Sequence, residues 1–163
     1  MNKTLSVYHR FSKVPFGRYI MSRVLTMKAP YFGTIRPVIT AAGHGSCTIE
    51  MSDRRAVHNH LGTIHAIAMC NMCELTGGLA IELAIPEHLR WIPKEMTVQY
   101  LKKARGKLTA HSELPGDALS PGDVIVPIEI TDKAGDVVTR AEITMYVSPR
   151  PDKKPKATGD KSS

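Results

Sequence analysis

The sequence predicts an α+β domain in which an antiparallel β-sheet wraps around one long buried helix. The long helix candidate covers residues 63–84, and its apolar residues fall on every face, which is typical of a helix surrounded by protein. After Pro86 the apolar spacing changes from a helical period to strict alternation. Because helices do not alternate with the later strands, the pattern excludes a parallel doubly wound sheet.

Four alternating stretches rich in β-branched residues predict the later strands of this sheet. They cover residues 95–103, 106–114, 123–131 and 136–147. The short segment Asp132–Gly135 separates the last two, which therefore form a hairpin.

The earlier part of the chain predicts helix first and extended structure afterwards. Residues 4–28 form one or two amphipathic helical pieces, broken at Pro15–Gly17, with Ile20, Val24 and Met27 recurring at helical spacing. Two strands follow, and they are joined by a glycine-rich turn that favours positive φ. These strands cover residues 31–42 and 46–52, and the turn is Gly43–Gly45.

Capping and breaking residues define the long helix. Thr63 fits the N-cap and Pro86 the stop. Gly77 and Gly78 are unfavourable inside a helix, so they predict a close approach of another part of the chain.

The length of 163 residues fits one domain with additions at both ends. We expect a helical extension over residues 1–30, the sheet-and-helix domain over 31–149, and a disordered basic tail over 150–163. The tail is assigned as disordered because it is polar and aperiodic.

The charge pattern favours a small anionic ligand over nucleic acid. The formal net charge is +7, of which the tail contributes +3 and residues 1–149 contribute +4. Basic residues are not interleaved with aromatic residues as they are on nucleic-acid-binding surfaces. We therefore expect no nucleic-acid partner.

Cysteine usage and hydropathy predict a cytoplasmic protein. The odd set Cys47, Cys70 and Cys73 indicates reduced thiols rather than a disulfide framework. The N-terminus lacks the apolar core of a secretory signal, and no apolar stretch long enough to span a bilayer is free of charges, so no membrane partner is expected. Cys70 and Cys73 fit a C-x-x-C zinc pattern, but without a second ligand pair we expect core packing and no metal.

One short constellation carries chemistry: Asn59, His65 and Glu74, spaced by six and nine residues. The constellation and the strands that follow resemble the PaaI-like branch of the hotdog thioesterases, the 4-hydroxybenzoyl-CoA thioesterase-like group, over residues 34–147. That branch carries an Asn, then a His-Gly-Gly at the start of its helix, then an acidic residue nine positions after the His. Ala66 and Ile67 stand where the glycines are expected.

The resemblance implies a hotdog fold, hydrolysis of an acyl-CoA, and active sites at the interface of a homodimer or homotetramer. Coenzyme A would enter as part of the substrate, so no separate cofactor is expected. Two alternatives remain open: a hotdog protein that binds an acyl-CoA or fatty acyl group without turnover, which Ala66 favours, and a hotdog dehydratase.

The residues themselves support the same chemistry. The unpaired N–H groups of a helix start, here near Ala66, can stabilise an oxyanion. Asn59 can position a carbonyl or a water, and burial of Glu74 in an apolar helix would strengthen it as a base. Nine helical residues turn through about 900°, so Glu74 is expected to face away from His65 and to serve the neighbouring chain's site.

A basic cluster lies where two predicted strands meet: Lys102, Lys103, Arg105 and Lys107. Such a run forms either a solvated turn or a binding site for the phosphates of CoA. The sequence leaves open the acyl group, the choice between CoA and acyl-carrier protein, and whether Glu74 acts as base or nucleophile.

Overall fold

A computed structural model describes Ser6, Tyr8, Arg10, Phe11 and residues 14–116 and 119–151. Six strands form one antiparallel sheet in the order β1-β2-β4-β5-β6-β3. The strands are β1 Val38–Gly43, β2 Ser46–Met51, β3 Leu89–Tyr100, β4 Leu108–Glu113, β5 Gly122–Thr131 and β6 Val137–Pro149. Helix α1 is Gly17–Lys28, helix α2 is Ala66–Ala84, and two 3₁₀ helices are η1 Pro30–Ile35 and η2 Arg55–Val57.

Helix α2 packs across the sheet and contacts β2, β4 and β5. The predicted role of its two glycines is confirmed. A Cβ at Gly77 would lie 3.1 Å from Cδ1 of Ile128, and a Cβ at Gly78 would lie 3.0 Å from Cη2 of Trp91. Both distances are shorter than ordinary side-chain contacts, so glycine lets the helix approach the sheet closely.

Among the described residues, α2 is the one helix long and apolar enough to cross a membrane by length and composition. Two thirds of it (67%) is buried inside the protein. Its apolar character is therefore accounted for by the core, where Met72 and Ile81 are fully covered by the sheet.

The strand predictions hold for most of the sheet, and both hairpins are confirmed. His44 and Gly45 link β1 to β2, with Gly45 at a φ of 73°. Asp132 and Asp136 close the β5–β6 turn, where the N–H of Asp132 donates to the carbonyl of Asp136 at 2.9 Å. Strand β3 begins earlier than predicted, at Leu89, and ends at Tyr100 rather than at residue 103.

Two predicted boundaries are wrong. Residues 30–35 form the 3₁₀ helix η1 rather than a strand, because Pro30 sits at its first turn, where a missing N–H costs nothing. Helix α2 begins at Ala66 with His65 as its N-cap, not Thr63. The side chain of His65 accepts a hydrogen bond from the N–H of Ile67, so the imidazole takes the role expected of the hydroxyl.

Helix α1 lies before the sheet and packs on β1 and the core through small residues and through the partly buried Met21 and Leu25. Its buried residues are Gly17, Ser22 and Thr26. The predicted apolar stripe of Ile20 and Met27 faces solvent instead of the core. The predicted disordered tail falls almost wholly on residues 152–163, which lie outside the described residues.

Candidate active site

A cavity of about 330 Å³ lies between the start of α2 and the end of β3. We call it the Asn59 cavity. Its wall includes Asn59, Ala66, Met69, Tyr100, Lys102 and Lys103. Two of the predicted catalytic residues and two of the predicted CoA-binding lysines therefore line the same space.

Asn59 shapes the loop that leads into α2. Its Oδ1 accepts hydrogen bonds from the N–H of Leu61 at 2.9 Å and of Thr63 at 3.2 Å, and its Nδ2 donates to Oγ1 of Thr63 at 2.9 Å. An Asn side chain that folds back on the next residues in this way forms an Asx turn. The second proton of Nδ2 has no partner among the described residues, so it remains available to a ligand.

Ala66 is the first residue of α2, at the positive end of the helix dipole. Its N–H donates no hydrogen bond within the described residues. The two N–H groups that follow donate to Nδ1 and to the carbonyl of His65, respectively. Ala66 therefore presents a free main-chain donor at a wall of the cavity, as an oxyanion hole requires.

Tyr100 forms the opposite side of the cavity. Its hydroxyl lies 2.9 Å from Sγ of Cys70, one helical turn after Ala66. Burial, followed by the hydrogen bond with Cys70, raises the pKa of Tyr100 to about 12. The phenol therefore stays protonated near neutral pH and can donate a hydrogen bond.

Glu74 is partly exposed, which corrects the expectation that it is buried in an apolar environment. It makes no hydrogen bond or ion pair with the described part of the chain. Ala66, Cys70 and Glu74 follow one another at helical spacing along one side of α2. Two turns of helix separate Ala66 from Glu74 by about 12 Å, too far for both to act on one atom within a single chain.

His65 lines a different cavity, of about 170 Å³, which we call the His65 cavity. Its Nδ1 accepts the N–H of Ile67 at 3.0 Å, so the neutral ring carries its proton on Nε2. Asn71 also lines this cavity. One protomer therefore does not bring His65 and Asn59 to the same cavity.

Asn71 is buried with one oxygen unpaired. Its Nδ2 donates to the carbonyl of Tyr31 at 3.3 Å and to Oγ1 of Thr34 at 3.2 Å, while its Oδ1 has no partner. Since a carbonyl can only accept, the nitrogen must face Tyr31, and the oxygen is left free. An unpaired buried acceptor is costly unless a ligand or water satisfies it.

The basic cluster divides into free and occupied cations. Lys102 is paired with Asp132 at 3.4 Å and with Asp136, and these carboxylates raise its pKa, the hydrogen bond with Asp136 contributing most. Lys107 is paired with Glu50 at 2.8 Å. By contrast, Lys103 has no partner among the described residues. Arg105 donates from Nη1 to the carbonyl of Gly62 at 3.3 Å and does not line the Asn59 cavity.

The cysteines are free thiols, and no group of residues in the described ranges could hold a metal ion. Cys47 and Cys73 are buried, and burial raises the pKa of each to about 12. Such thiols stay protonated and act as core residues.

Sequence reasoning missed Tyr100 and Asn71. Tyr100 follows the partly buried Val98 at the alternating spacing of a strand, which could have placed both on the face toward α2. Asn71 gave a weaker signal, since it is a polar residue at the third position of an apolar segment, Met69–Cys73. Its partners come from η1, which the sequence predicted as a strand.

No curated protein matches this chain. Among solved structures, a genomics target is 36% identical, with a TM-score of 0.79, and the match covers 90% of this chain and 98% of that one. A thioesterase from Haemophilus influenzae is 18% identical (TM-score 0.71; 84% and 94% covered). A protein of unknown function from Pseudomonas aeruginosa, described as a probable thioesterase, is 19% identical (TM-score 0.72; 84% and 97% covered).

The two thioesterase-related structures share the six-stranded sheet and long central helix, which confirms the predicted hotdog fold. The assignment to the PaaI-like branch stays a prediction. Residues 17–147 match a family described as a domain of unknown function, DUF4442. This chain is therefore a hotdog-fold member of the DUF4442 family.

Proposed function

We propose that this protein is an acyl-CoA thioesterase whose active site combines the Asn59 cavity of one chain with Glu74 of a second chain. The observation that carries the proposal is the free N–H of Ala66 at the helix start, in the same cavity as Asn59 and the unpaired Lys103. Thioesterases among the similar folds support the same reaction class.

In this mechanism the thioester carbonyl oxygen accepts a hydrogen bond from the N–H of Ala66, and the spare Nδ2 proton of Asn59 holds the same carbonyl or the attacking water. Glu74 of the other chain either takes a proton from that water or attacks the carbonyl carbon itself. The helix dipole and the N–H stabilise the negative charge that develops on oxygen. When water attacks, cleavage of the carbon–sulfur bond releases the carboxylic acid and CoA thiolate, which takes up the proton held by Glu74. When Glu74 attacks, cleavage of the same bond releases CoA thiolate, which is protonated from solvent, and leaves a mixed anhydride on Glu74; a water then hydrolyses this anhydride to the carboxylic acid and free Glu74.

A dimer is part of this proposal because one chain separates Ala66 from Glu74 by about 12 Å along α2. Strand β3 supports the assembly, since it lies at an edge of the sheet and no described strand pairs with its outer side. It also exposes Ile92, Met96 and Tyr100. Pairing β3 of two chains would cover this edge and continue the sheet.

The test is Glu74→Gln, with Glu82→Gln as a matched control on the same helix. Glu82 accepts a hydrogen bond from Nε1 of Trp91 at 2.9 Å, and glutamine can still accept it. With a panel of acyl-CoAs and detection of the free thiol, we expect Glu74→Gln to lower kcat by at least about 10²-fold and Glu82→Gln to leave it nearly unchanged.

Mixing Glu74→Gln with Asn59→Ala tests the shared site. If each site uses Glu74 of the other chain, a heterodimer holds one site without either substitution, while both homodimers stay inactive. Random co-assembly should then restore up to about a quarter of wild-type activity, because half the dimers carry one good site of two. Full activity of Glu74→Gln, or no recovery from verified heterodimers, would refute the shared-site mechanism.

A second candidate is acyl-CoA binding without turnover. It is favoured by the side chains of Ala66 and Ile67, which stand at the helix start where a thioester would have to approach the N–H closely. Tight binding of acyl-CoA with no thiol release from any member of the panel would favour this candidate over the thioesterase.

A further inference from the structure

Helix α1 turns its small residues, together with Met21 and Leu25, toward the protein and its other large apolar residues toward solvent. On the inner side, Oγ of Ser22 accepts the N–H of Ile39 at 3.0 Å and donates to the carbonyl of Arg18 at 2.7 Å. A helix that covers a core normally presents its apolar face inward. Packing against the core accounts for Met21 and Leu25 but not for the apolar residues on the outer side of α1.

The outer face of α1 consists of Phe16, Tyr19, Ile20, Val24 and Met27, all of them exposed. Phe16 and Met27, at its two ends, are each 78% exposed. At helical spacing, the four residues within the helix cover an arc of about 140°, and Arg23 lies within the same arc. A group of exposed large apolar side chains on one face of a helix marks an interaction surface.

Phe16 adds an independent observation. It occupies the left-handed region at a φ of 61°, where a bulky side chain is rare and glycine or asparagine is preferred. The fold gains nothing visible from this side chain, which points into solvent. A residue that is unfavourable for the backbone and unused in the core is consistent with a role outside the fold.

Charge identifies the kind of partner. Residues 1–49 contain seven Lys or Arg and no Asp or Glu, and the other fifteen basic residues are balanced by the fifteen acidic ones. Three of the seven, Arg18, Arg23 and Lys28, belong to α1 and form no ion pair with described residues. Residues 1–49, which include the exposed apolar helix, therefore carry a net charge of +7, while residues 50–149 carry −3 and the tail carries +3.

We infer that the outer face of α1 binds the surface of an anionic lipid bilayer. The helix would lie in the plane of the interface, with its apolar side chains at the acyl boundary and its basic side chains at the lipid phosphates. A second copy of this chain fits less well, because it would bring two basic faces together. The expectation of no membrane partner was based on the lack of a segment that could span a bilayer. A helix that lies in the membrane interface does not require a spanning segment.

The position of Tyr31 connects this surface to the His65 cavity. Tyr31 follows the end of α1 by three residues, is 64% exposed, and lines that cavity beside His65. Docking of α1 would therefore hold this cavity next to the lipid surface.

The test uses the full-length protein and sedimentation with vesicles of phosphatidylcholine, with or without phosphatidylglycerol. Wild-type protein should bind the anionic vesicles, and added salt should weaken the binding. Ile20→Ser/Val24→Ser removes apolar area equal to about one buried side chain and should lower the partition coefficient about tenfold or more. Replacing Arg18, Arg23 and Lys28 by Gln should cost about fivefold per residue on anionic vesicles.

Ile125→Ser/Tyr146→Ser is the matched control, because these side chains are exposed to a similar extent (46% and 42%, against 49% and 48% for Ile20 and Val24) but lie on β5 and β6. It should bind as the wild type does. Phe16→Gly should weaken binding while keeping or raising the melting temperature, a combination that a purely structural role would not produce.

Equal binding of wild-type protein to neutral and anionic vesicles, or full binding by Ile20→Ser/Val24→Ser, would overturn the inference. So would a change in the oligomeric state of that variant by light scattering, which would assign the face to a subunit contact. Hydrolysis of a soluble short-chain acyl-CoA should be unchanged in every α1 variant, so this inference can fail without affecting the proposed function.

Discussion

His65 has two roles that substitution can separate: it caps α2, and its ring lines a cavity. Its Nδ1 accepts the N–H of Ile67 at 3.0 Å, at the start of a helix of 19 residues. Loss of an N-cap acceptor costs about 1 kcal/mol. For a domain of this size, His65→Ala should therefore lower the melting temperature by about 2–4 °C. His65→Asn restores an excellent cap and should melt near the wild-type temperature.

Activity should respond differently from stability. Because Nδ1 is occupied by the cap, the group that His65 can offer to a ligand is its Nε2–H. If that donor positions the substrate, His65→Asn and His65→Ala should lose kcat/KM by the same factor, about tenfold for one hydrogen bond. Differential scanning calorimetry and the thiol-release assay give the two readouts on the same preparations.

Two results would refute this reasoning. An unchanged melting temperature for His65→Ala would show that the cap contributes nothing to stability. Wild-type activity of His65→Asn would show that the imidazole serves only as a cap, and the candidate site would then rest on Asn59, Ala66 and Glu74.

Two further predictions concern charged groups. Lys103→Gln should raise KM for acyl-CoA, and the KM of the wild type should rise with salt. Lys107→Gln should leave KM and its salt dependence unchanged, since Lys107 is already paired with Glu50. Equal effects of both substitutions would argue against a phosphate contact at Lys103. The hydrogen bond with His58 lowers the pKa of Asp53 below its ordinary value of 3.8. The ionised carboxylate therefore contributes its full stabilisation at pH values above 3.8, and this stabilisation is lost as the pH falls through the lowered pKa of the folded state. The melting temperature of Asp53→Asn should accordingly fall below that of the wild type near neutral pH and converge with it in acid, and a constant difference at every pH would contradict the assignment.

The sheet could be predicted from the sequence because alternation is a local property. Strands β4, β5 and β6 lie within two residues of their predicted bounds, whereas β3 begins six residues earlier than predicted, and the β5–β6 turn follows from Asp132 and Gly135 alone. Gly77 and Gly78 were also informative, since glycine inside a helix needs a reason, and the reason here is the contact with Ile128 and Trp91.

The parts that could not be predicted depend on contacts between distant segments. The residues after Pro30 suit a strand as well as η1. Pro30 is compatible with the first turn of η1, and the hydrogen bonds of Asn71 with Tyr31 and Thr34 are contacts with α2 that the local sequence does not reveal. In the same way Thr63 has the chemistry of an N-cap, but its hydroxyl and N–H are already bonded to Asn59, and the N-cap lies two residues later, at His65.

The outward face of α1 shows the limit of periodicity most clearly. Ile20, Val24 and Met27 have the spacing of a packed stripe, and spacing alone cannot say whether a stripe meets protein or solvent. The small residues Ser22 and Thr26 decide the orientation, because Ser22 must satisfy the N–H of Ile39 in β1. The sequence has no acidic residue before Glu50, but this indicates an interaction surface only once the outward orientation of the apolar residues is known.

The two-chain site rests on a different argument in the structure than in the sequence. His65 is a cap outside the helix, so the rotation to Glu74 is measured from Ala66, the first helical residue. Eight helical residues leave Glu74 only about 80° from Ala66 around the axis. Distance along α2, not direction, therefore separates the two groups. If two α2 helices crossed antiparallel at Cys70, which lies midway between them, Ala66 of each chain would face Glu74 of the other. One symmetric contact would then complete two sites at once, and a lone chain would hold two incomplete halves.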